Sequence, residues 1–170
     1  LLVALAIVHA LDLDPALALP ALASEKGAPG RLERVSEQTD DVVVLVDYAH
    51  TPDALERALV AVRAVTSNRV VCVFGCGGDR DTQKRALMGE AAARFADRVV
   101  LTNDNPRTES PEAIARAVEI GLVSGGGVRV GVAALAGTAG GFTIELDRAK
   151  AIDAAIATAQ PGDVVIVAGK

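Results

Sequence analysis

Short runs of β-branched and aliphatic residues recur along this chain at 42–46, 69–74, 98–102, 142–146 and 163–168. Each is long enough for one strand and too short for a stable helix. Most are apolar throughout, which marks strands covered on both faces. Between them lie stretches with helical spacing. Leu55, Leu59 and Val62 share one face of a helix over 53–65 that Pro52 opens, and helices are expected over 84–96 and from Pro111 to about Ile120. Asp147 caps a further helix reaching Ala159. Strand, loop and helix in series predict an α/β, Rossmann-like three-layer domain around a mostly parallel sheet with right-handed crossovers. Ahead of it, 1–11 and 15–23 fit two short helices, 24–30 reads as a linker, and 31–37 as an edge strand.

Composition narrows the core and the partners. Half of the chain is apolar (51%), yet it holds only three Phe, one Tyr and no Trp, so the core is built from Val, Ala, Leu and Ile. A net charge of −5 argues against nucleic acid as the main partner, because phosphate binding wants a basic face. The two cysteines, Cys72 and Cys76, are too few for a disulfide framework and lack further ligands nearby for zinc. They read as buried or loop thiols of a reducing, cytoplasmic compartment. The apolar start is broken by His9 and Asp12, short of the ~20 residues a membrane span needs. Both ends read as boundaries of a piece cut from something longer.

Ligands of parallel sheets gather at the carboxyl ends of the strands, and the unusual loops follow strands: 47–52, 75–83, 103–109 and 169 onward. No GxxxxGK[ST] phosphate loop occurs, and the glycine-rich turn 75–78 is not GxGxxG because position 80 is Arg. Loop 75–85 carries Asp79, Arg80, Asp81, Lys84 and Arg85, and loop 103–107 carries Asp104, Asn105, Pro106 and Arg107. On neighbouring strands these sets would face each other across about 5 Å of strand spacing. Two arginines flanked by acids suit a zwitterion, since guanidinium forks grip a carboxylate and Asp or Asn takes an ammonium. The same residues equally make a surface salt-bridge cluster with Pro106 as punctuation. Asp47, Tyr48 and His50 pose a similar choice between an Asx-type turn and a ligand-binding loop. Arg31 is either solvated or paired across an interdomain surface.

Taken in order, "GRLE", "VDYAHTPDAL", "VFGCGGDRD…KR…MG", "ADRVVLTNDNPR", "DRAKAI" and "DVVIVAGK" resemble the motifs of the Mur ligases. The resemblance covers about 28–170 and implies the C-terminal, amino-acid-binding ligase domain. Residues 1–27 are similar to the tail of that family's central ATP-binding domain. It further implies an ATP-dependent, amide-forming ligase of peptidoglycan precursor synthesis. Such an enzyme adds meso-diaminopimelate to UDP-N-acetylmuramoyl-L-alanyl-D-glutamate through an acyl phosphate. ATP and Mg2+ would be held mostly by other domains, with no metal ligand assigned here. The enzyme is expected to be monomeric and to use small-molecule substrates. Asp-Asn-Pro-Arg at 104–107 is the signature of diaminopimelate-adding members. By this resemblance Arg107 grips the distal carboxylate, and Asp104 and Asn105 complete the polar pocket. Pro106 fixes the turn, and Arg80 and Gly169 add contacts. Gly169 belongs to a Gly-Lys-Gly-His-Glu motif that the chain enters without finishing. Arg31, Asp47 and His50 would line the ATP side on domain closure, and no covalent nucleophile is implied. A non-catalytic Rossmann-like binding module, or a Mur-type ligase for another amino acid, is the alternative. The Gly- and Ala-rich stretch 121–143 departs from the pattern. Within it, 128–135 reads as a strand or an inserted hairpin and 136–141 as loop.

Overall fold

The computed structural model describes residues 2–24 and 27–169. Part of the expected linker, residues 25 and 26, lies outside them, as does Lys170. Two helices come first, α1 (Leu2–Ala10) and α2 (Pro15–Ser24). Val3, Ile7, Leu11 and Leu17 of this segment are exposed.

The remainder is one seven-stranded sheet in the order β1-β2-β7-β3-β4-β6-β5. Its strands are β1 (Glu33–Arg34), β2 (Val43–Asp47), β3 (Val70–Phe74), β4 (Arg98–Leu101), β5 (Val128–Arg129), β6 (Gly141–Ile144) and β7 (Val164–Ala168). Only β1 pairs antiparallel, with β2; every other neighbour is parallel. The last strand is thus inserted between β2 and β3. The expected edge strand over 31–37 is realised in only two residues.

Helices α3 (Pro52–Val65), α4 (Lys84–Phe95) and α5 (Pro111–Ser124) cover one face, and α6 (Val132–Leu135) and α7 (Arg148–Thr158) the other. The strands explain this layering. In β3, Val70, Cys72 and Phe74 point to the first core, Val71 and Val73 to the second. Period-two alternation inside an apolar run therefore feeds two cores at once. Leu55, Leu59 and Val62 of α3 are buried as their spacing predicts. Each such side chain contributes about 1.5–3 kcal/mol on leaving water. Thr51 caps α3 by accepting from the Ala54 amide at 3.3 Å, with Pro52 in the first turn. Ser110 and Pro111 repeat the device for α5, and Asp147 accepts from Ala149 and Lys150 at the start of α7.

Two further readings change. Helix α5 runs to Ser124 rather than Ile120, because Gly121 lies inside it where α5 meets α4 backbone to backbone. Residues 128–135 form neither one strand nor a hairpin, but the two-residue β5 followed by the single turn α6. The carbonyls at the end of α6 are held by arginines from the sheet. Arg98 donates to Leu135 at 2.7 Å and Arg69 to Ala136 at 3.2 Å, while Arg69 also pairs with the buried Asp163. No described helix is long and apolar enough to cross a membrane.

Candidate functional site

Strands β2, β7, β3 and β4 are adjacent and parallel, so their exits open on the same edge of the sheet. Between the loops that follow them lies an open cleft of about 660 Å³. The β2 exit supplies Tyr48, His50 and Thr51, and the β3 exit Gly77, Arg80, Asp81 and Lys84. Asp104, Asn105 and Arg107 come from the β4 exit and Gly169 from the β7 exit. Arg80, Asp104, Asn105, Arg107, Gly169 and His50 are thus brought together, although up to 119 positions separate them in the chain.

The cleft mixes signs. Arg80, Lys84 and Arg107 line it together with Asp81 and Asp104. Burial pushes the Asp104 carboxyl above its ordinary range, while Arg148, Lys84, Arg107 and His50 pull it back. Lys84 is anchored by donating Nζ to the His50 carbonyl at 2.9 Å. Arg107 adopts a left-handed backbone, with φ of 49°, and its guanidinium donates to the Gly78 carbonyl. A non-glycine residue in that region is strained, and such strain persists only where the surroundings over-determine it. Guanidinium groups beside a carboxylate and an amide can take a small ligand carrying both carboxylate and ammonium groups.

Pro106 does not line the cleft. Its carbonyl accepts from the Glu109 amide at 3.0 Å, which tightens the turn behind Arg107. Arg31 and Asp47 sit on a neighbouring concavity with Pro29, Gly30 and Tyr48. Asp47 is 8% exposed, and its carboxylate oxygens accept from the Leu32 amide at 2.9 Å and the Ala49 amide at 2.8 Å. It therefore acts as the Asx-type turn that its loop suggested, lacing the entry segment to β2. The Arg31 guanidinium lies 5.2 Å from the Tyr48 ring centroid, and Tyr48 meets His50 edge-on at 5.0 Å. Tyr48 borders both concavities. Among the described residues no group of three or more His, Cys, Asp or Glu could hold a metal ion.

The polar residues of loop 75–85 do not act as one set. Arg80, Asp81 and Lys84 face the cleft, but Asp79 turns to Thr108 and Arg85 is buried against Glu109. Arg148 was not singled out from sequence. It donates to the Ala168 carbonyl at 3.1 Å and the Asn103 carbonyl at 3.4 Å, joining the exits of β7 and β4 from the α7 side. Its position directly after a capping Asp gave no hint of that reach. Cys72 and Cys76 are free and buried, as expected of inert thiols.

A family model described as "Mur ligase, glutamate ligase domain" matches residues 30–170. The chain belongs to the Mur ligase family. This Mur ligase chain is 51% identical over 152 residues to a UDP-N-acetylmuramoyl-L-alanyl-D-glutamate–2,6-diaminopimelate ligase of Prochlorococcus marinus, covering 89% of the chain and 27% of that protein. The enzyme of the same name from Gloeobacter violaceus is 46% identical over 170 residues, covering 100% of the chain and 32% of that protein. Among solved structures, a UDP-N-acetylmuramoyl-L-alanyl-D-glutamate–2,6-diaminopimelate ligase superposes with a TM-score of 0.71 at 38% identity, over 98% of this chain and 31% of that one. E. coli FolC in complex with ADP gives 0.57 at 26% identity, over 84% of this chain and 29% of that one. The chain therefore spans about a third or less of the relatives it matches.

Proposed function

We propose that this chain is the amino-acid-binding domain of an ATP-dependent ligase. That ligase joins meso-diaminopimelate to UDP-N-acetylmuramoyl-L-alanyl-D-glutamate. The observation that carries the reading is the convergence of Arg80, Arg107, Asp104 and Asn105 on one cleft at the carboxyl edge of the sheet. Arg107 takes the distal carboxylate, Arg80 lends a second positive charge, and Asp104 and Asn105 accept from the distal ammonium. Gly169 closes the cleft from the β7 side.

The rest of the reaction belongs to a longer chain. ATP phosphorylates the D-glutamyl side-chain carboxylate, giving ADP and an acyl phosphate. The free amine of diaminopimelate attacks that carbonyl, the C–O bond to phosphate breaks, and phosphate leaves as the amide forms. This domain holds the amine in place, and such positioning is worth on the order of 7–11 kcal/mol at best. Residues 1–27 fit the end of a central ATP-binding domain, and the exposed Val3, Ile7, Leu11 and Leu17 suit an interface with such a body. Arg31, Asp47 and His50 line the ATP side when the domains close. The ADP bound to the FolC relative agrees with nucleotide use. Mg2+ would be held mostly by the other domains of that longer ligase.

The test is Arg107→Ala in a full-length ligase carrying this domain. Leaving the substrate carboxylate unpaired should cost about 2–5 kcal/mol, by analogy with truncated charge pairs. That corresponds to roughly 30-fold to several-thousand-fold in kcat/KM for diaminopimelate. Acyl-phosphate formation should survive, and the preference over lysine should collapse. A folded variant that keeps its preference would refute the reading.

A further inference from the structure

The two cleft loops are joined by a seam of hydrogen bonds, to which Arg107 adds its own bond to the Gly78 carbonyl. The Gly78 amide donates to the Asn105 carbonyl at 2.8 Å. Asp79 accepts from the Thr108 hydroxyl at 2.8 Å and from the Thr108 amide at 3.1 Å. Behind them the Arg85 guanidinium forks onto Glu109, with Nη2 to Oε1 at 2.7 Å and Nη1 to Oε2 at 2.9 Å. Glu109 Oε1 also accepts from the Asp79 amide at 2.6 Å, and Arg85 Nη2 donates to the Gly77 carbonyl at 3.3 Å. One carboxylate thus grips the first loop twice, once at its backbone and once through the first turn of α4.

Stability alone is a poor reason for this pair. Arg85 is 4% exposed, and its Nε is buried without a partner among the described residues. Its partner Glu109 keeps 30% of its side chain exposed, and exchanging a desolvated ion pair for apolar side chains is often neutral or stabilising. What the seam does fix is geometry. Asp79 and Arg107 both hold left-handed backbones, with φ of 51° and 49°. Those two residues lie on opposite sides of the seam, and Arg80, the next residue after Asp79, faces the cleft with Arg107. Release of the seam would let both turns relax, and the separation of the two guanidinium groups would drift.

We propose that Glu109 and Arg85 are positioning residues that set the spacing of Arg80 and Arg107, and with it the selectivity for an amino acid ending in a carboxylate. Neither touches the ligand; both act through the Asp79 and Arg107 turns. The proposal rests on the cleft being the diaminopimelate site.

The experiment uses a full-length ligase carrying this domain, with meso-diaminopimelate and L-lysine as probes. The double variant Arg85→Met/Glu109→Met removes the pair and keeps the volume apolar. Its Tm should stay within about 4 °C of the parent. Its KM for diaminopimelate should rise about 10- to 100-fold, the scale of an ångström-sized misplacement of binding groups. The preference over lysine should fall by a similar factor, while the KM for ATP holds. A purely structural pair predicts the reverse: lost melting temperature with unchanged KM in the folded fraction. If the double variant does not fold, Thr108→Val, which cuts the same seam at the bond from the Thr108 hydroxyl to the Asp79 carboxylate, is read in its place. A folded variant with unchanged KM and preference overturns the proposal. Parent enzyme that fails to use diaminopimelate overturns instead the functional reading beneath it.

Discussion

Gly78 and Pro106 touch backbone to backbone across the cleft loops: a Cβ on Gly78 would lie 1.9 Å from the Pro106 carbonyl oxygen. Neither side can rotate away, because both atoms belong to main chain held by the seam. Gly78→Ala should therefore push the loops apart and cost about 1–3 kcal/mol, as overpacking does. It should also separate the Arg107 guanidinium from the Gly78 carbonyl and raise the KM for diaminopimelate. A thermal melt with steady-state kinetics on the full-length enzyme checks both. Parent-like melting and parent-like KM together would show that the contact yields easily.

A second close approach makes a prediction free of any functional reading. A Cβ on Gly121 would fall 1.7 Å from the Ala86 carbonyl oxygen, and one on Gly89 would fall 2.2 Å from that of Val118. Glycine inside a helix normally costs about 1 kcal/mol against alanine. Here the packing of α5 on α4 reverses that preference. Gly121→Ala should lower the melting temperature by roughly 4–10 °C. A variant that melts higher would mean that the helices do not pack at this distance.

Acid should unlock the seam. Arg85, and then the Asp79 amide, hold the Glu109 carboxyl down at about 2. Burial pushes Asp97 up, but the Arg63 guanidinium and the Val70 amide outweigh it and leave the group lowered. A carboxylate lowered by folding contributes stability that is complete above its unfolded pKa and is lost as pH falls through the folded value. For Glu109 that window runs from about 4.5 down to about 2. Asp104, raised by burial, works in the opposite direction on the same side of neutrality. Chemical denaturation between pH 6 and pH 2 should show stability falling below roughly pH 4.5. Glu109→Gln should flatten the curve, and an equally steep curve in that variant would remove Glu109 from the account.

The thiols should be silent. Burial pushes Cys72 up to about 12 and Cys76 up to about 11, the latter despite Lys84 and Arg85 nearby. The thiolate is the nucleophile, so at pH 8 iodoacetamide should react roughly 100-fold or more slowly than with a free cysteine. Both should be modified once the chain is denatured in guanidinium. Mass spectrometry of intact protein reads the result, and prompt labelling of the native state would contradict the buried placement.

The alternation of apolar runs and helical spacings was enough to give the layers, and Pro52, Pro111 and Asp147 marked three helix starts, because strands, caps and amphipathic faces are local properties. The polar loops after β2, β3, β4 and β7 could be located as well, since parallel strands all exit on one edge. Tertiary structure alone decided that β7 lies between β2 and β3, which sets Gly169 beside the other exits. It also settled the stretch 121–143, where Gly121 continues a helix against its neighbour and Gly125 ends it. Most of all, it sorted the charges of loop 75–85. Arg80 and Arg85 are the same residue type five positions apart, yet one opens on the cleft and the other is buried on Glu109. Sequence fixes which residues can carry charge, but the direction each one faces depends on where a distant loop brings its partner carboxylate.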